Sequence, residues 1–93
     1  MARAAGATIE EQTRLAFQNL SRVLEAAGGT MADVVELTTY HIAVADLPKV
    51  GAVKGEFIPQ DFPAWTAVGV TALAFPELLI EVKATAVIDH NIE

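Results

Sequence analysis

The sequence predicts an α+β fold, a two-layer sandwich of two helices on one sheet in the order helix, strand, helix, strand, strand. Three observations predict it. Apolar residues recur at three- and four-residue spacing between Thr13 and Ala27, with a capping signal before them and a glycine pair after. Residues 34–44 are rich in valine, isoleucine and threonine. Residues 62–88 hold two β-rich runs around the break Ala74-Phe75-Pro76-Glu77.

The first helix opens at Thr8-Ile9-Glu10-Glu11, a capping-box pattern in which a Thr hydroxyl and a Glu three residues on satisfy exposed backbone N–H groups. Thr13, Ala16, Phe17, Leu20, Val23, Leu24 and Ala27 make its apolar face, and Glu11, Arg14, Gln18, Arg22 and Glu25 its wet side. Gly28-Gly29 stops it, because glycine enters the left-handed region at little cost. Val34 to Val44 is then read as a strand, with Val35, Leu37, Thr39, His41 and Ala43 on one face. Asp46 is expected to cap a shorter second helix, with Pro48 in its first turn and Leu47, Val50, Val53 and Phe57 as its stripe. The two runs in 62–88 are expected to pair as a β-hairpin. In the second run Leu78, Ile80, Val82, Ala84, Ala86 and Ile88 form a wholly apolar face; Leu79, Glu81, Lys83, Thr85, Val87 and Asp89 form a mixed one. Helices on one side leave the other sheet face bare, which is what assembly of subunits covers. One domain spans residues 1–93, with 1–7 and 89–93 expected to be loose ends.

Composition narrows the function. A net charge of −6, with six scattered bases, argues against a nucleic-acid partner, since phosphate neutralisation needs clustered Lys and Arg. There is no cysteine, hence no disulfide frame, thiolate nucleophile or Cys-metal site. No apolar run approaches a membrane span, and the N-terminus lacks a signal-peptide core, so a cytoplasmic protein without a membrane partner is expected. A hydrophobic fraction of 53% in so small a chain suggests apolar surface buried between subunits.

Few residues carry chemistry by themselves. His41 lies inside a strand and His90 in the tail, without metal-ligand spacing, so His41 reads as a partly buried sheet residue. Ser21, the sole serine, is mid-helix and in no nucleophile motif. Glu81, mid-strand on the mixed face, is either a solvated strand carboxylate or a group that orients water in a cleft. Trp65, the only tryptophan, is either a packing anchor or a ligand-pocket wall.

Pro63-Ala64-Trp65-Thr66-Ala67-Val68-Gly69-Val70 and Leu79-Ile80-Glu81-Val82-Lys83-Ala84-Thr85-Ala86-Val87 resemble the C-terminal signature of the Rid/YjgF/UK114 family. Gln12, Asn19-Leu20 and Val23 to Gly28 resemble its first helix. Asp33-Val34-Val35, Thr38-Thr39, Asp46-Leu47 and Glu56-Phe57 extend the likeness through its central strand and second helix. The resemblance implies a chorismate-mutase-like fold and a homotrimer around a β-sheet barrel, with small-molecule clefts between subunits and no metal or cofactor. Deaminating members hydrolyse enamine or imine products of pyridoxal-phosphate enzymes, such as 2-aminoacrylate, to keto acids and ammonia. Some relatives carry older labels as endoribonucleases or translation inhibitors.

By that resemblance Glu81 matches the pocket glutamate that helps place the attacking water, and Trp65, Thr66 and Ala67 are the expected ligand-binding positions. Two departures stand out. Trp65 replaces the arginine that holds the substrate carboxylate in deaminating members, and Ala67 replaces a pocket cysteine of some. The family also begins with a β-hairpin bearing a pocket tyrosine and glycine, whereas this sequence starts almost directly at the first helix. The expectation is a homo-oligomer with an intersubunit cleft that is not a typical 2-aminoacrylate deaminase. The alternatives are an enamine/imine hydrolase with another anchor, such as Lys83, and a non-enzymatic regulatory or assembly module.

Overall fold

The structure, a computed structural model, describes residues 7–89. Most of the two ends expected to be loose, and His90 with them, lie outside the described residues. Helix α1 spans Ile9–Ala26. The Thr8 hydroxyl accepts the Glu11 N–H and the Glu11 carboxylate accepts the Thr8 N–H, both at 3.1 Å. That backbone N–H holds the Glu11 carboxyl below its usual value. At the other end Gly28 adopts φ 89°, its N–H meets the Glu25 carbonyl and the Gly29 N–H the Leu24 carbonyl. This is a Schellman ending, and the positive φ is why glycine follows the cap.

Strand β1 is Val34–His41, ending three residues before the expected Val44, because residues 44–46 wind into a 3₁₀ turn. Helix α2, Leu47–Phe57, follows directly. Asp46 sits at its N-cap as expected but makes no side-chain capping bond; the preceding 3₁₀ turn already holds it in helical geometry. Strands β2, Ala64–Gly69, and β3, Ile80–Ala86, complete the chain.

The expected hairpin does not form. The sheet order is β2-β1-β3: β1 pairs parallel with β2 and antiparallel with β3, so the central strand separates the two runs. The parallel pair is joined through α2, the helical crossover that parallel strands require. Residues 70–79 then carry the chain past the C-terminal end of β1 instead of turning tightly.

Both helices lie on one side of the sheet. Phe17, Leu24, Met31, Val34, Leu37 and Ile58 form the main buried cluster, and the Phe17 and Phe57 rings stack at 5.5 Å across the two helices. A two-pronged Arg14–Glu56 pair joins the helices at the surface. The alternation of β3 is as read: Ile80 is buried, Val82, Ala84 and Ala86 pack on the core, and Lys83 and Thr85 face out. In β1 a bulge between Val34 and Glu36 shifts the phase, so Val34 goes inward with Leu37, while Val35, expected to share a face with Leu37, is 47% exposed. Val23, assigned to the apolar face of α1, is 65% exposed.

Candidate functional site

The sheet register sorts the candidate residues onto two faces. On the helix-covered face the rows are Trp65–Leu37–Ala84, Ala67–Thr39–Val82 and Gly69–His41–Ile80. On the open face they are Ala64–Glu36–Thr85, Thr66–Thr38–Lys83 and Val68–Tyr40–Glu81. Glu81 and Thr66 therefore share the open face, in neighbouring rows. Trp65 and Ala67 point to the other side, so within one chain Trp65 and Glu81 do not line the same surface.

Glu81 is half-buried. Tyr40 is its direct cross-strand neighbour, and the Ala74 N–H lies 3.4 Å from its carboxylate. Glu81 also borders a groove of about 380 Å³ between α1 and the outer edge of β3. Leu15, Leu20, Val23, Leu78 and Val82 make that groove mainly apolar. Exposed Val23 is thus one wall of it. Lys83 is exposed on the open face, one strand step from Glu81, as the alternation predicts.

Trp65 belongs to a polar cluster beneath the helices. Its indole Nε1–H donates to Thr39 Oγ1 at 2.9 Å, and Thr39 Oγ1 lies 2.6 Å from His41 Nε2. Thr39 and His41 are fully buried. His41 Nδ1 is sealed from solvent and has no hydrogen-bond partner. Burial favours the neutral imidazole and pushes its pKa down, against a smaller upward pull from Asp46. The sequence suggests a partly buried His41, and in the folded chain it is closed off completely. Its partnership with Thr39 follows from two-residue strand spacing, a signal the sequence contained.

Sequence reasoning missed two further groups. Gln12 is buried, and both ends of its amide hold the chain before β3: Nε2–H donates to the Glu77 carbonyl at 2.9 Å and Oε1 accepts the Leu79 N–H at 2.8 Å. Its position beside the apolar stripe was the available signal. Lys54 packs its stem inward, with its ammonium 4.9 Å from the Trp65 ring and 5.0 Å from the Phe62 ring. Among the described residues no group of His, Cys, Asp and Glu side chains is placed to hold a metal ion, and no helix is long and apolar enough to cross a membrane.

The arrangement offers a carboxylate on an uncovered sheet face and a pinned tryptophan beside a lysine behind it. The family model described as endoribonuclease L-PSP matches residues 2–88. The RutC family protein YjgH of Escherichia coli is 42% identical over 77 residues, covering 81% of this chain and 59% of its own length. A 2-iminobutanoate/2-iminopropanoate deaminase of Dermatophagoides farinae is 33% identical over 81 residues, covering 87% of this chain and 62% of its own length. The chain thus spans about three fifths of these curated relatives. The crystal structure of Rv2704 of Mycobacterium tuberculosis, a member of the YjgF/YER057c/UK114 family, superposes with TM-score 0.85 at 36% identity, over 87% of this chain and 69% of that one. The architecture is therefore the chorismate-mutase-like α+β sandwich of that group. The chain belongs to the endoribonuclease L-PSP family, the group also known as YjgF/YER057c/UK114 and RutC.

Proposed function

We propose that this chain is a homotrimeric small-molecule-binding protein of the Rid type, with its ligand clefts between subunits, and that it is not a typical 2-aminoacrylate deaminase. The carrying observation is the uncovered sheet face. Tyr40, Val68 and Glu81 form one row on it while both helices lie on the other side. Assembly through that face would enclose Glu81 next to a neighbouring subunit. There its carboxylate would orient a water or accept a proton, with Thr66 on the same face, while Trp65 and Ala67, on the helix side, would bound the cleft only where a neighbouring subunit meets the β2 edge. Because the Trp65 N–H is occupied by Thr39, the residue at the arginine position has no donor left for a substrate carboxylate. The protein acts in the cytoplasm in this proposal, its partners being copies of itself and a free small molecule, not nucleic acid or membrane.

Light scattering combined with ammonia release from freshly generated 2-aminoacrylate tests it. The expected outcome is a trimer that releases ammonia no faster than buffer. A monomer would overturn the intersubunit cleft. Ammonia release that disappears in Glu81→Gln would favour a second reading, an enamine/imine hydrolase with a different anchor. The relative named as an imine deaminase supports that reading, as does Lys83 beside Glu81 on the open face.

A further inference from the structure

We propose that Lys54, framed by Trp65 and Phe62, is an anchor for an aromatic carboxylate. The inference rests on the reading above that Trp65 bounds the ligand cleft, and it names the ligand class.

Lys54 is 8% exposed, a burial that lysine accepts only with its charge provided for. It sits in the last turn of α2, where a cation is favoured by the helix dipole. Two aromatic faces stand about it at 4.9 and 5.0 Å. Among the described residues its ammonium forms no hydrogen bond and no ion pair with a carboxylate, although it carries three N–H donors. Nor is the ammonium wholly sealed: among the described residues the one sealed side-chain atom without a partner is His41 Nδ1. The donors of Lys54 are therefore left without a protein partner between two aromatic rings.

The two rings are held in different ways. Trp65 is fixed by its bond to Thr39, which leaves only its ring to offer. On α2, Gly51 faces that ring, and a Cβ built there would lie 3.9 Å from Trp65 Cη2, so the tryptophan lies close along the helix. Phe62 is 66% exposed, an aromatic ring left largely in water. Asp61, the residue before it, turns the chain at φ 54°, a left-handed conformation that Asp tolerates better than most residues. A cation with free donors and an exposed ring match a flat ligand that carries its own negative charge. The carboxylate would take the ammonium donors while the ligand ring packs on Phe62 and Trp65. Trp65 thus removes the arginine's charge from its own position, and Lys54 supplies a charge within 5 Å of the same ring.

Trp65 is the only tryptophan, so its fluorescence reports on the surroundings of this ring alone. The experiment titrates the whole chain with benzoate and with benzamide, its uncharged counterpart of the same shape. Benzoate is expected to change the emission saturably and to bind at least about tenfold more tightly than benzamide, with the preference shrinking in high salt. Lys54→Met is expected to equalise the two ligands, and Lys54→Arg to retain the preference. Equal binding of both ligands by the parent chain, absence of a saturable change, or a preference that survives Lys54→Met would each overturn the anchor. Should Lys54→Met fail to fold, Lys54→Gln and the parent salt dependence carry the same decision. Oligomer mass and ammonia release are read separately, so a trimer without benzoate preference refutes the anchor while leaving the cleft reading intact.

Discussion

The two faces of the sheet are built from the same three strands and obey different physics. On the helix side Leu37, Thr39, His41 and Ile80 are buried, and even the polar members must find partners among themselves. On the open side Glu36, Thr66, Val68, Lys83 and Thr85 remain exposed, with Tyr40 and Glu81 half-covered. One face therefore carries the stability of the single chain, whereas the other carries little of it and is free to serve binding or assembly. The helix side also holds Trp65 in place, so a residue at a proposed ligand-binding position is fixed by the core.

The sharpest way to break that contrast is to hollow the covered side. Phe17→Ala removes a fully buried ring stacked on Phe57, and a loss of about 3–5 kcal/mol is expected, a large part of the stability of a small domain. Urea unfolding would measure it; a midpoint close to the parent's would mean the core does not rest on this pair.

A smaller effect is expected from pH. Burial lowers the pKa of His41 in the folded state, so the unfolded chain binds its proton first as pH falls. Stability is then fully present above the ordinary histidine value of about 6.5 and drains as pH drops from there toward the folded value, by at most about 1.4 kcal/mol per pH unit. The expected result is an unfolding midpoint that declines between pH 7 and 5 in the parent and much less in His41→Gln. The Glu11 and Glu56 carboxyls, both held low by hydrogen bonds, contribute their own loss only at more acid pH. Equal slopes in the two proteins would show that His41 is not responsible.

The smallest effect belongs to the open face. Val68→Thr is expected to shift single-chain stability by less than about 0.5 kcal/mol, as surface changes usually do. A change in sedimentation mass without a change in monomer stability would sharpen the division between the faces. A large destabilisation at low protein concentration, where assemblies dissociate, would erase it.

The legible parts of the fold were those decided locally. Thr8 with Glu11, and Gly28 with Gly29, mark both ends of α1 because capping involves groups only a few residues apart. The alternation of β3 was equally plain, since its side chains must switch sides of the backbone at every residue. The hairpin reading failed for the opposite reason. Two β-rich runs around a short break advertise pairing, yet hydrogen-bonding partners are chosen by the whole sheet, and β1 has the inward residues that belong at its centre. The phase of β1 was lost at one bulged residue, Val35, which nothing in the local composition marks.

The candidate site divides along the same line. Sequence by itself determined the family, the helix-strand order, the inward and outward sides of β3 and the place of Glu81 on the outward one, because these follow from local geometry and from residue types at fixed spacing. Tertiary structure alone decided that Trp65 and Glu81 stand on opposite faces, that Thr39 joins Trp65 to His41, and that Lys54 reaches both rings. Those contacts depend on which strand occupies the centre of the sheet and how α2 crosses over it, and such long-range packing is settled only when the layers close and expel water.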